Sequence, residues 1–185
     1  MGINGGLEVG ERMSVMLEEN VMRRIRIGKV VINAAVGKSG EPIEKAKKIL
    51  EELTGHTPAV RTAKKTIRDF GIHKGEPIAV IVTLRKDKAI QVLKRLLAAK
   101  GNRIKGSSFD DYGNVSFGIK EHIDIPGVKY KPELGIIGMD VCIALERPGY
   151  RVARRKIMPC KIGKEQRISR QEAIEFFKTL GVEVV

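Results

Sequence analysis

The sequence contains no tryptophan, three tyrosines and five phenylalanines among its 185 residues. So small an aromatic supply argues against a surface that grips single strands by stacking base after base. Two cysteines, Cys142 and Cys160, are too few for a disulfide framework and suit a reducing cytoplasm. No apolar run approaches the roughly 20 residues that cross a bilayer. The first twelve residues carry two glutamates and no apolar stretch, unlike a secretory signal. His56, His73, His122 and the cysteines never fall at the close spacing of metal ligands, and His122 reads as a surface or lightly packed side chain.

Acidic residues are also in deficit, with 22 Asp and Glu against 35 Lys and Arg, a net charge of +13. A hydrophobic share of 42% nevertheless supports a single packed domain and excludes global disorder. The excess charge is concentrated in two places. Residues 61–74 hold Arg61, Lys64, Lys65, Arg68 and Lys74 against Asp69, a net of +4. Residues 147–170 hold nine bases against Glu165, a net of +8. Clustered Lys and Arg release the counterions condensed on a polyanion, so nucleic acid is the partner class these clusters indicate. Gly71, Gly75, Pro148, Pro159 and Gly163 break both segments too often for a basic membrane-surface helix.

Element signals alternate along the chain. Residues 25–36 read as a strand, followed by a helix opened by Glu41 and Pro42 and closed at Gly55. Its expected exposed pairs are Glu44 with Lys48 and Lys48 with Glu52. Strands at 58–62 and 78–85 bracket the first basic segment, so residues 61–76 form a long projecting hairpin loop. Asp87 is the expected cap of a second helix ending near Gly101. Val115, Phe117 and Ile119, then Met139, Val141, Ile143 and Leu145, alternate with small or polar residues as half-buried antiparallel strands do. Ser169 and Glu172 match a capping box before a last helix that stops at Gly181, and the final VEVV suits a short edge strand. This order predicts an α+β fold in which helices cover one face of an antiparallel sheet and leave the other free for a ligand. Residues 1–22, with Met13, Met16 and Met22 as alternative starts, read as a looser extension of a single domain at 23–185.

Two catalytic readings fail on spacing. GKSG at 37–40 sits between strand and helix, but a phosphate-wrapping loop needs a glycine where this chain has Ile32. Asp110, Asp111, Glu121, Asp124 and Asp140 offer carboxylates for a magnesium-dependent nuclease, yet the first two precede the turn Tyr112-Gly113-Asn114 and Asp140 alternates outward on a strand. No catalytic set, cofactor or metal is expected. Lys and Arg on phosphates, with small polar groups reaching sugars and base edges, favour structured RNA.

KVVINAAVGKSG, AVRTAKKTIRDFGIHKGEPIAVIVTLR, SSFDDYGNVSFGIKEHIDIPGVKY and GMDVCIALERPGYRVARR resemble the universal 5S rRNA-binding protein family of the large ribosomal subunit, numbered five, in its archaeal-type form. The resemblance runs from about residue 25 to the end, with its segments in the family's order. It implies a non-enzymatic, cytoplasmic constituent of the central protuberance that anchors 5S rRNA beside large-subunit rRNA and neighbouring proteins. It assigns 5S contacts to Lys29 and Asn33 in the first strand, His56 after the first helix and Thr83 in VTLR. Lys29 would hold phosphate, while Asn33 and Thr83 would bond sugar or base edges. Position 56 departs from the glutamine many members carry. The same resemblance brings the hairpin's Arg61, Lys64, Lys65, Arg68 and Lys74 to the P-site tRNA backbone, and Arg151, Arg154, Arg155 and Lys156 to additional rRNA. It further implies an intersubunit bridge to a small-subunit head protein. After GYRVARR the chain departs from the denser basic tail of archaeal relatives, being interrupted by Ile157, Met158, Pro159, Cys160 and Ile162, so that apolar docking joins charge there.

Overall fold

Period-two alternation of apolar residues sorts this chain into strands, and period 3.6 into helices. The computed structural model describes residues 20–185, so the expected extension at 1–22 lies almost wholly outside the described residues. The strands are β1 (Arg26–Ala35), β2 (Ala59–Thr62), β3 (Pro77–Leu84), β4 (Arg103–Ile104), β5 (Val115–Ile119), β6 (Met139–Glu146) and β7 (Glu183–Val184). The helices are α1 (Glu41–Thr54), α2 (Lys86–Ala99), the single turn α3 (Arg151–Arg154) and α4 (Arg170–Thr179).

Five strands make one antiparallel sheet in the order β2-β3-β1-β6-β5. One face, carrying Val30, Ile32, Val80, Val82, Val141 and Ile143, is buried under the helices. From α1 come Ile43, Ala46, Leu50 and Leu53, and from α2 come Val92, Leu93, Leu96 and Leu97. α1 packs on β3 and α2 on β1. At the far end Phe177 of α4 meets Phe109 edge-on, with centroids 5.6 Å apart, a geometry that adds about 0.5–1.5 kcal/mol beyond the area buried. The α+β fold expected from the sequence, with helices on one side of an antiparallel sheet, is the observed one.

Several local expectations change. Asp87 lies in the first turn of α2 instead of capping it, because β3 enters the helix through Arg85 and a left-handed Lys86 at φ 56°. Ile90, which helical spacing places with Ala89, Val92, Leu93, Leu96 and Leu97 on the apolar side of α2, is exposed instead. The i,i+4 ion pair of α1 is Glu41–Lys45, and Glu52 reaches across to Lys131. The C-terminal strand does not edge the large sheet: β7 pairs in parallel with β4, Arg103 opposite Glu183 and Ile104 opposite Val184. The Ser169–Glu172 capping box forms with both of its bonds.

Candidate nucleic-acid interface

Among the described residues, no helix packs on the second face of the sheet. Residues opposite one another in adjacent strands share a face, so the register lays out this surface in rows. Lys29 stands beside Ala144; Val31 lies between Thr83 and Cys142, with Ser116 beyond; Asn33 lies between Ile81 and Asp140; and Ala35 lies beside Ala79, which faces Arg61. Lys29, Asn33 and Thr83, which the resemblance singled out, therefore share one open face. Small side chains between them make a floor that a flat or helical ligand can approach. Beside Lys29 and Val31 it dips into a depression of about 350 Å³, reaching Ser116 and Cys142 and rimmed by Asp110 and Asn114.

His56 stands apart from this group. It is exposed in the loop between α1 and β2, where Gly55 takes the left-handed φ of 63° that ends the helix and the His56 N–H donates to Thr54 Oγ1 at 3.3 Å.

Asp140, set aside in the sequence as an outward strand residue, belongs to the open face and lies directly across from Asn33. Among the described residues no cation pairs with it. The signal for it was the alternation of β6 itself, but only the register with β1 shows what it stands beside. A lone carboxylate repels phosphate and accepts hydrogen bonds, so here it can select donor groups on base edges or ribose hydroxyls.

Positive charge sits at both ends of the face. At the Ala35 end, Arg61 lies on the face itself and the basic hairpin projects beyond it. The hairpin has internal order: Ile67 and Ile72 exchange backbone bonds of 2.9 and 3.1 Å, and the Lys74 N–H donates to Thr66 Oγ1 at 3.0 Å. A 3-10 turn at Arg68–Phe70 closes at Gly71, leaving Phe70 74% exposed. Lys64, Lys65, Arg68 and Lys74 form no ion pair among the described residues. GKSG finds its use here: Ser39 Oγ donates to Glu76 at 2.6 Å, and the other carboxylate oxygen accepts the His73 N–H at 2.9 Å. These bonds, led by that from His73, hold the Glu76 carboxyl below its usual range.

At the Lys29 end the second basic segment begins, and its charge is partly internal. Arg147 is 4% exposed and is a staple, not a contact residue. Its guanidinium donates to the Glu165 and Arg167 carbonyls, each at 3.3 Å, and to Glu172 at 2.7 Å. Partial burial alone would raise the Glu172 carboxyl, but bonds from the Ser169 N–H and Arg147 outweigh it and hold the carboxyl low. Burial pushes the Tyr150 phenol up, and its hydroxyl donates to the Gln166 carbonyl at 3.0 Å. Arg154 is tied to Glu146 at 2.6 Å. That carboxylate lies across Gly28, where any side chain would collide with it: a Cβ would sit 2.3 Å from Glu146 Cδ. Arg151, Arg155 and Lys156 are exposed and make no ion pair among the described residues.

Neither catalytic reading finds support in this geometry. The Asp110 carboxylate is engaged by Tyr112 N–H and Asn114. Among the described residues no three His, Cys, Asp or Glu side chains converge as a metal set. His122 corrects its surface reading: it is 2% exposed, and Nδ1 accepts the Ile137 N–H at 3.4 Å.

Comparison with known families fits these pieces together. The family model for ribosomal protein L5 matches residues 20–73, and the model for the C-terminus of the same ribosomal family matches residues 77–180. The chain belongs to the L5 family of ribosomal proteins. Among its relatives, the large ribosomal subunit protein uL5 of Pyrobaculum aerophilum is 58% identical over 171 residues, covering 92% of this chain and 96% of that protein. The same protein of Nitrosopumilus maritimus is 51% identical, covering 90% and 96%; that of Aeropyrum pernix is 53% identical, covering 92% and 91%. The two family matches meet in the basic hairpin, between Lys74 and Glu76. Members of this family are structural parts of the ribosome, so the chain is an rRNA-associated, non-enzymatic component of the cytoplasmic large subunit.

Proposed function

We propose that the open sheet face binds 5S rRNA and that the two basic ends attach that complex to its surroundings in the central protuberance. The observation carrying this reading is the convergence of Lys29, Asn33, Thr83 and Asp140 on the sheet face that no helix covers among the described residues, with cations at its ends that make no ion pair among those residues. Lys29 takes a phosphate, while Asn33, Thr83 and Asp140 bond ribose hydroxyls and base edges; the first positions the RNA and the others specify it. His56 reaches the same RNA from the β2 edge.

Lys64, Lys65, Arg68 and Lys74 project on the latched hairpin toward the backbone of P-site tRNA, with Arg61 at its base. Arg151, Arg154, Arg155 and Lys156 meet large-subunit rRNA. A further surface contacts a small-subunit head protein across the intersubunit bridge, and others contact neighbouring central-protuberance proteins. The test is Asn33→Ala in the full chain: affinity for 5S rRNA falls by about tenfold, as for the loss of one good base-edge contact, while affinity for an unrelated structured RNA is unchanged. Equal losses on both RNAs would contradict the assignment.

A further inference from the structure

Between β5 and β6 the chain makes a long loop, residues 120–138, that folds against α1 and α2. The His122 N–H donates to the Ile137 carbonyl at 3.1 Å, and the Ile137 N–H returns a bond to His122 Nδ1. Arg95 of α2 ties loop to helix, with Nε donating to the Pro126 carbonyl at 2.9 Å and Nη1 to the Leu53 carbonyl at 3.4 Å. Lys131 pairs with Glu52 of α1. Between this loop and the helices lies a cavity of about 250 Å³, with Ile49, Leu53, Val128 and Leu134 as its apolar walls.

His122 also lines the cavity and is 2% exposed. Because Nδ1 accepts a bond, the neutral ring carries its proton on Nε2. Nε2 bonds to no described residue, and it is not among the polar atoms sealed from solvent, so this donor faces the cavity. A buried donor without a partner is costly, and an acceptor entering the cavity removes that cost. Arg95 keeps a second donor there: Nη2 has no partner among the described residues and lies beside Gly127, where a Cβ would come within 3.3 Å of it.

Charge and size select the ligand. Arg95, Lys129 and Lys131 against Glu52 give the cavity a net charge of +2, which favours an anion. Its volume lies below that of pockets taking drug-sized molecules. Four aliphatic walls suit a branched hydrocarbon body, and two convergent donors suit the two oxygens of a carboxylate.

We propose that this cavity binds a small aliphatic carboxylate, which accepts from His122 Nε2 and the Arg95 guanidinium while its branched body packs on Ile49, Leu53, Val128 and Leu134. A free short-chain acid presents this group, and so does a polypeptide ending in leucine or valine. The site is built from the loop and the helices, apart from the open sheet face.

The test titrates the full chain with isovalerate at fixed pH while the NMR ring-proton signals of the histidines are followed. His122 lies in the cavity, and His56 and His73 do not line it. The His122 signals should shift saturably, with a dissociation constant of about 1 mM, while those of His73 stay in place. Isovaleramide, which lacks the charge, and acetate, which lacks the branched body, should each bind about tenfold more weakly. N-acetyl-leucine binding at least as well as isovalerate would support the site and assign it to a chain end; its exclusion would support the site and assign it to a free acid. Val128→Phe, which fills the cavity, should abolish the shift, with thermal unfolding as the check on folding. Lys129→Gln, an exposed change that leaves the loop's bonds intact, should weaken binding by about twofold to threefold at low salt. No saturable shift at His122 would overturn the proposal. So would isovaleramide binding as tightly as isovalerate, or parallel shifts at His122 and His73, which would mean that the acid follows the +13 charge at large.

Discussion

Asn33 of β1 and Asp140 of β6 stand directly opposite each other in the antiparallel ladder, on the face that no helix covers among the described residues. Opposed residues in such a ladder have Cα atoms about 4.5–5.5 Å apart, so an amide able to donate and accept lies beside a carboxylate that only accepts. The pair is suited to a nucleotide edge presenting donors on one side and both kinds of group on the other. Asp140→Asn preserves shape and removes charge. It should lower the preference for 5S rRNA over unrelated RNA while leaving or raising general RNA affinity, since a repulsion toward phosphate is lost. A uniform fall on both RNAs in a binding titration would show that Asp140 supports folding and not selection.

The hairpin cations and the sheet face are separable. Lys64→Gln, Lys65→Gln and Arg68→Gln together should spare 5S binding by the isolated protein and weaken P-site tRNA binding by ribosomes assembled with it. A collapse of 5S affinity would place the hairpin in the 5S site. Glu76→Gln should have a weaker effect in the same direction, because it loosens the bonds from Ser39 and His73 that orient the hairpin.

Arg147 contributes to stability through its fixed partners. Arg147→Met keeps the aliphatic stem but takes the side-chain donor from two backbone carbonyls and leaves the Glu172 carboxylate with its capping-box bond from the Ser169 N–H alone. Removing one member of such a buried arrangement should cost about 2–4 kcal/mol, read as a lower denaturant midpoint at unchanged slope. A change under about 0.5 kcal/mol would show that the staple adds nothing net.

Burial pushes the His122 imidazole below its ordinary value of 6.5. The unfolded chain then binds more protons than the folded one as pH falls through 6.5, so the stability due to neutral His122 is complete above that value and lost progressively below it. Its neutral ring accepts the Ile137 N–H, and a protonated Nδ1 could not. Unfolding midpoints taken from about pH 8 down to pH 5.5 should therefore decline below 6.5 in the natural protein and stay flatter in His122→Asn, which retains an acceptor. Parallel profiles would assign the acid sensitivity to other groups.

Much of this architecture was legible because it is periodic. Val30, Ile32 and Ala34 alternate, Leu50 and Leu53 recur with helical spacing, and Ser169 with Glu172 announces its cap. What the sequence hid depends on pairing across the chain. Nothing local tells that Glu183 and Val184 will lie beside Arg103 and Ile104. His122 looks like any histidine in a polar loop until the segment up to Ile137 folds over it. Arg147 reads as one more base in a basic stretch, and only the return of Glu165, Arg167 and Glu172 makes it internal. At the candidate site, Lys29, Asn33 and Thr83 were named through resemblance, but their common face, and the place of Asp140 on it, follow from the strand register.

Recognition of 5S rRNA by the open sheet face is tested most directly by the affinity of the full chain for 5S rRNA and for a length-matched unrelated structured RNA, each over a range of salt concentrations. A preference of about 100-fold, near 2.7 kcal/mol, is expected, and it should persist at high salt because base-edge and ribose contacts do not depend on counterion release. Equal affinities that fall together with salt would contradict it, and would mean that the +13 charge alone accounts for RNA binding.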